Sequence, residues 1–131
     1  MGVQPPYILL VDDEPAIRLT LSVLLKRSGY SVTAAASGDE ALALLDQQAY
    51  DLVLLDLIMP GLGGLGLARE VQRRLPEAAI LVLTGSDALE DVSRSGFDYI
   101  LKTTSPPDVL ARVAKVLAAR QSRAVGDIGR Q

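Results

Sequence analysis

The stretch Tyr7-Ile8-Leu9-Leu10-Val11-Asp12-Asp13-Glu14-Pro15 decides the fold class. Tyr7 to Val11 is nearly all apolar, the composition of a strand buried on both faces in the middle of a parallel sheet. It gives way at once to a cluster of acids. Behind them comes a segment with Asp13 as a candidate N-cap, Pro15 in its first turn, Ile17, Leu21, Leu24 and Leu25 on one helical stripe, and Gly29 as its stop. A buried strand feeding an amphipathic helix is the βα unit, and the rest of the chain repeats it.

Ser31 to Ala35 reads as a second, short strand, and Ser37 as the cap of a helix that turns Ala41, Leu44 and Leu45 inward. Asp51 to Leu55 is a third apolar strand that ends at Asp56. A loop with Pro60, Gly61, Gly63 and Gly64 leads to a helix with Leu65, Ala68 and Val71 facing in, closed by Pro76. Ala79 to Leu83 is the fourth strand, terminating at Thr84. A short helix from about Ser86 to Arg94 and a turn at Gly96 precede a fifth strand, Asp98 to Leu101, which ends at Lys102. Ser105 caps the last helix, with Pro106 and Pro107 in its first turn and Val109, Leu110, Val113, Val116 and Leu117 along its inner side. The arrangement is an α/β domain over residues 7–118, with residues 1–6 as an N-terminal extension. Residues 119–131, with Gly126, Gly129 and scattered arginines, read as a frayed helix end and a flexible tail or the start of a linker.

Composition narrows the chemistry. The 131 residues suit one domain, and 49% hydrophobic against 22% charged residues gives enough apolar material to fold. Without cysteine or histidine there is no thiolate or imidazole to bind metal or catalyse, so carboxylates, lysine and hydroxyls carry any reaction. The net charge of −3 is a poor footprint for gripping nucleic acid. The basic residues from Thr103 onward read as a solubilising end. No apolar run is long enough for a membrane span and no secretory signal opens the chain, so a cytoplasmic location away from membranes is expected.

Right-handed crossovers put the C-terminal ends of all parallel strands on one rim, where ligands bind in open α/β sheets. Asp12 and Asp13 follow the first strand, Asp56 ends the third, Thr84 the fourth and Lys102 the fifth. Each has a plainer reading, as a helix cap, a turn residue, a backbone-satisfying hydroxyl or an edge charge, but their convergence favours a site. Carboxylates packed together repel unless a cation sits among them, and an all-oxygen ligand set selects a hard ion, Mg²⁺ first. A carboxylate in such a place can act as a nucleophile and become an acyl phosphate.

These residues resemble the receiver domain of two-component response regulators, over roughly Tyr7 to Leu117. The motifs are Val11-Asp12-Asp13-Glu14-Pro15, Asp56-Leu57-Ile58-Met59-Pro60-Gly61, Thr84-Gly85 and Asp98-Tyr99-Ile100-Leu101-Lys102. The resemblance implies a doubly wound, flavodoxin-like (βα)5 fold with a five-stranded parallel sheet in the order 2-1-3-4-5. It implies that Asp56 takes the phosphoryl group, that Asp12, Asp13, Asp56 and the Ile58 carbonyl surround Mg²⁺, and that Lys102 and Thr84 complete the catalytic set. It also implies a switch in which Thr84 moves and Tyr99 turns inward, read out by the fourth helix, fifth strand and last helix. Tyr99 reads equally well as an ordinary half-buried aromatic. Ile58 and Ser86 stand where the family tunes phosphoryl lifetime, and apolar Ile58 cannot position an attacking water.

The implied partners are a histidine kinase or phosphotransfer protein, a second copy through the readout face, and an output domain beyond the C-terminus. The chain would be a phosphorylated signalling switch that assists its own modification, not an enzyme with an external substrate. It departs from the family pattern in two places. Thr103 stands where a proline usually follows the lysine, and the segment between Thr84 and Lys102 is shorter by about a turn of helix, roughly four residues. Two rivals remain: a flavodoxin-like cofactor binder, disfavoured by acids where a phosphate loop belongs, and a pseudo-receiver that binds without being phosphorylated.

Overall fold

The structure is a computed structural model that describes residues 4–57 and 64–129. Its elements are β1 (Tyr7–Val11), α1 (Pro15–Arg27), β2 (Ser31–Ala35), α2 (Gly38–Leu45), β3 (Leu52–Asp56), α3 (Gly64–Arg74), β4 (Ala79–Thr84), α4 (Leu89–Ser95), β5 (Asp98–Leu101) and α5 (Pro106–Gly129). A single 3-10 turn, Ser86–Ala88, precedes α4. The strands form one sheet in the order β2-β1-β3-β4-β5, and every neighbouring pair is parallel. This is the doubly wound order that the alternating pattern and the motifs led one to expect.

Because successive side chains of a strand point to opposite faces, the central strands feed two cores. Ile8, Leu10, Leu52, Leu54, Leu81 and Leu83 lie on the side packed by Leu21 and Leu25 of α1 and by Val109, Val113, Val116 and Leu117 of α5. Leu9, Val11, Val53, Leu55, Ile80 and Val82 lie on the other, against Ala41 and Leu45 of α2, Leu67, Ala68 and Val71 of α3, and Val92 of α4. Each fully buried aliphatic side chain contributes about 1.5–3 kcal/mol, so both layers clamp the sheet between helices and support its register.

Several local details differ from the sequence-based expectation. Asp13 is not the N-cap of α1: Glu14 takes that position and makes no side-chain cap bond. The reason is that the Asp12 carboxylate already accepts the Glu14 N–H at 2.9 Å and turns the chain into the helix. Ser37 and Ser105 do cap as expected, accepting from the Glu40 and Asp108 N–H groups at 3.1 and 3.3 Å. In α3, Leu67 rather than Leu65 is the fully buried leucine.

The helix expected to fray from Ala119 runs on to Gly129. Ala118, Ala119, Arg120 and Gln121 are strong helix formers, and no glycine interrupts before Gly126. Arg120 also pins this part of α5, donating from Nε to the Glu77 carbonyl at 2.6 Å and from its guanidinium to Asp51 Oδ1 at 3.0 Å. As the short Thr84–Lys102 segment implied, α4 is only seven residues long, and it closes on Gly96 with φ 86°, a left-handed conformation that suits glycine.

Candidate functional site

Among the described residues, the buried polar or charged ones are Asp12, Asp56 and Thr84, exposed by 0%, 1% and 0%. All three stand at the C-terminal ends of strands on one rim of the sheet. Burying a carboxylate is costly unless something compensates it, so two buried acids side by side need a local explanation.

The ladder itself positions them. Beyond the last paired residue of each strand the parallel hydrogen bonding continues by one step: Asp12 N–H to the Ala35 carbonyl at 3.1 Å, Leu57 N–H to Leu83 at 2.9 Å, and Lys102 N–H to Thr84 at 2.8 Å. Backbone on both sides of the cleft is thereby fixed before any side chain contributes. On the side of Asp56, the start of α3 presses close: Gly64 has φ 62°, and a Cβ there would lie 2.5 Å from the Leu57 carbonyl oxygen. Only glycine fits that approach.

Lys102 Nζ donates to Asp56 Oδ2 at 2.8 Å and to Glu14 Oε1 at 3.1 Å. Burial alone would lower the lysine pKa. The hydrogen bonds to Asp56 and Glu14 and the fields of Asp56 and Asp12 outweigh it and hold the ammonium above its ordinary range. Burial raises the Asp12 carboxyl, and repulsion from Asp56 and Glu14 adds to this against the opposing Glu14 N–H bond and the Lys102 charge. The other Asp12 oxygen, Oδ2, is buried without a hydrogen-bond partner.

Asp12, Asp13 and Asp56 each offer a carboxylate oxygen, and these atoms lie within 4.8 Å of one another. Asp13 is exposed while its two companions are buried. The cluster therefore opens to solvent on one side, has an orphaned acceptor inside, and sets one ammonium against four nearby carboxylates when Glu14 is included. Such a donor set fits a small hard cation that keeps part of its water shell, as Mg²⁺ does. The residues that could hold it are these three aspartates. The expected fourth ligand, the Ile58 carbonyl, lies outside the described residues.

Thr84 is brought to the same rim, but its hydroxyl donates to the adjacent Gly85 carbonyl at 3.0 Å. To reach a phosphoryl oxygen it would have to leave that acceptor. Tyr99 is half-buried on β5, beside Val82 of β4 in the register and against the core layer that includes α2 and α3. Ser86 opens the 3-10 turn one residue after Gly85.

A profile of the response regulator receiver domain matches residues 8–114. The chain belongs to that family. Among its relatives is the transcriptional regulatory protein ResD of Bacillus subtilis, 41% identical over 122 residues, which are 88% of this chain and 49% of ResD. A CheY-like receiver domain protein from Methanospirillum hungatei superposes with a TM-score of 0.84 at 29% identity, over 91% of this chain and 98% of that one. TrrA of Thermotoga maritima, solved in complex with Mg(2+)-BeF, superposes with a TM-score of 0.77 at 37% identity, over 85% of this chain and 98% of its own. The receiver spans about half the length of the curated relatives it matches.

As a receiver domain, the chain is a signalling module of two-component response regulators. No helix among the described residues is long and apolar enough to cross a membrane. The sequence reading assigned no part to two residues that the structure brings in. Glu14 is the second acceptor of Lys102, and the Arg18 guanidinium donates to the Asp12 carbonyl at 2.7 Å. The signal for Glu14 was its place beside the paired acids at the head of α1. Nothing in the sequence alone tied it to a lysine 88 residues away.

Proposed function

We propose that this receiver accepts a phosphoryl group on Asp56 in a Mg²⁺-dependent reaction and uses the modification as a conformational switch. The observation that carries the reading is the buried Asp56 carboxylate, hydrogen-bonded to Lys102 and within ligand distance of Asp12 and Asp13. An Asp56 oxygen attacks the phosphorus of a phosphohistidine, the P–N bond breaks and the imidazole departs with its electron pair. The donor is a histidine kinase or phosphotransfer protein, since these 131 residues contain no histidine. A small acyl phosphate serves in the same way.

Asp12, Asp13 and Asp56, together with the Ile58 carbonyl that the family resemblance implies, would hold the ion, which would supply positive charge against the phosphoryl oxygens. Lys102 turns its ammonium onto one phosphoryl oxygen. Thr84 gives up the Gly85 carbonyl for another, and Tyr99 follows inward. The change is read out on the face made by α4, β5 and α5, which docks the next partner or a second copy. The domain occupies residues 7–118, and the continuation of α5 leads toward an output domain, a layout supported by relatives twice as long. The protein works in the cytoplasm and turns over no external substrate. Ile58 and Ser86 set how long the acyl phosphate lasts.

Intact-mass spectrometry after incubation with acetyl phosphate and Mg²⁺ tests this. The expected result is one added phosphoryl group, stable in acid and labile in base, absent with EDTA and absent in Asp56→Asn. A chain that gains no such Asp56-dependent mass is a pseudo-receiver, the reading that Thr103 after the lysine and the seven-residue α4 would then favour.

A further inference from the structure

We propose that Glu14 is a positioning residue for Lys102, doing in this chain part of the work that a proline after the lysine would do; the inference rests on the phosphoacceptor reading of Asp56. The Lys102 backbone is tied to the Thr84 carbonyl at 2.8 Å, but no proline follows it to fix the next residue, and its side chain has to be placed by other contacts. Thr103-Thr104-Ser105 follows, and the bond from the Thr104 N–H to the Leu101 carbonyl at 2.9 Å closes a simple turn around Lys102. A long side chain at the head of such a turn has many rotamers to lose before it can serve the site.

Glu14 supplies the missing constraint from across the cleft. Its backbone is held on both sides, the N–H by Asp12 Oδ1 at 2.9 Å and the carbonyl by the Arg18 N–H at 3.0 Å in the first turn of α1. From that anchored position its carboxylate takes one N–H of Lys102 at 3.1 Å while Asp56 takes another at 2.8 Å. An ammonium has three N–H donors, so among the described residues this leaves one for an incoming phosphoryl oxygen. The two acceptors differ in setting: Glu14 is 57% exposed and Asp56 1%. When Asp56 becomes an acyl phosphate, its charge and geometry change, and Glu14 keeps the ammonium at the rim throughout.

The test compares wild type, Glu14→Gln, Glu14→Asp and Lys102→Met, with Glu14→Gln also placed in the Lys102→Met background. Two quantities are read: the initial rate of phosphoryl gain from acetyl phosphate with Mg²⁺, and the rate at which an N-hydroxysuccinimide ester acetylates Lys102, followed by peptide mass. For a partly exposed charged hydrogen bond the expected loss in Glu14→Gln is about fivefold in phosphorylation, with Glu14→Asp recovering part of it. Lys102 acetylation rises severalfold as the ammonium is released. In the Lys102→Met background the Glu14 change makes less than about a twofold difference.

The inference is overturned if Lys102 acetylation is unchanged. It is equally overturned if Glu14→Gln phosphorylates as fast as wild type or faster, the behaviour of a charge that merely repels the anionic donor, or if the same loss persists without Lys102. A wild-type chain that takes no phosphoryl group refutes the Asp56 reading instead, and the acetylation ratio still decides whether Glu14 holds the lysine.

Discussion

Replacing Asp12 by Asn should make the metal-free protein more stable, and adding Mg²⁺ should reverse the order. Asp12 is buried, its Oδ2 has no partner, and it lies within 4.8 Å of the Asp56 ligand oxygen. At that separation and an effective dielectric of about 20, two carboxylates repel by about 3.5 kcal/mol. Lys102, bonded to Asp56, offsets roughly half or more of this, leaving a net gain of about 1–2 kcal/mol for the neutral amide. Asn keeps the acceptor for the Glu14 N–H and replaces the unpartnered oxygen with a donor set among carboxylates. For a domain of this size the gain corresponds to a rise of about 4–7 °C in Tm.

The pH dependence has a definite sign. Burial raises the Asp12 pKa in the folded state, so the fold favours the protonated acid. That stabilisation is complete below the ordinary value near 3.8 and is lost as pH rises through the folded value. The advantage of Asp12→Asn is therefore small in acid and grows toward pH 7. Urea titrations with EDTA at about pH 4 and pH 7 measure it. Mg²⁺ at a hundred times its dissociation constant adds about 2.7 kcal/mol to a protein that binds it. Wild type should gain that amount and overtake the variant, which loses a ligand. An Asp12→Asn protein that is less stable in EDTA at pH 7, or that Mg²⁺ stabilises as much as wild type, would refute the reasoning.

Lys102→Met should act the other way, lowering stability at pH 7 by about 1–3 kcal/mol because buried Asp56 loses its ammonium. Urea denaturation at pH 7 measures the loss, and an unchanged stability would count against the electrostatic account. Gly64→Ala should cost about 2 kcal/mol or more, since φ is 62° and the new Cβ would meet the Leu57 carbonyl at 2.5 Å. A neutral result in thermal unfolding would mean that the approach relaxes cheaply. In Ile58→Asn the phosphoryl group should leave Asp56 faster than in wild type, because an amide can orient water. An unchanged decay, followed by mass, would remove Ile58 from that role.

Much of this protein was legible in its sequence because its signals are local. The apolar runs at Tyr7–Val11 and Leu52–Asp56 announce buried parallel strands, and each delivers an acid at its end. The right-handed crossover rule then sends Asp12, Asp56, Thr84 and Lys102 to one rim without any coordinates. Helix ends were less legible. Asp13 looked like the cap of α1, but the Asp12 carboxylate turns the chain there, and α5 runs past Ala119 with the help of two contacts from Arg120 that no local pattern encodes.

Taken alone, then, the order of residues determined the element types, the parallel sheet and the set of side chains that share its C-terminal rim, since period, glycine placement and crossover hand are local or topological properties. Only the tertiary structure decided how those side chains divide the space. It buried Asp12 and left Asp13 exposed, turned the Thr84 hydroxyl onto Gly85, and gave Lys102 to both Asp56 and Glu14, partners 46 and 88 residues away. Hydrogen bonds of a few ångströms between distant segments depend on strand register and helix packing together, and these exist only once the sheet has assembled.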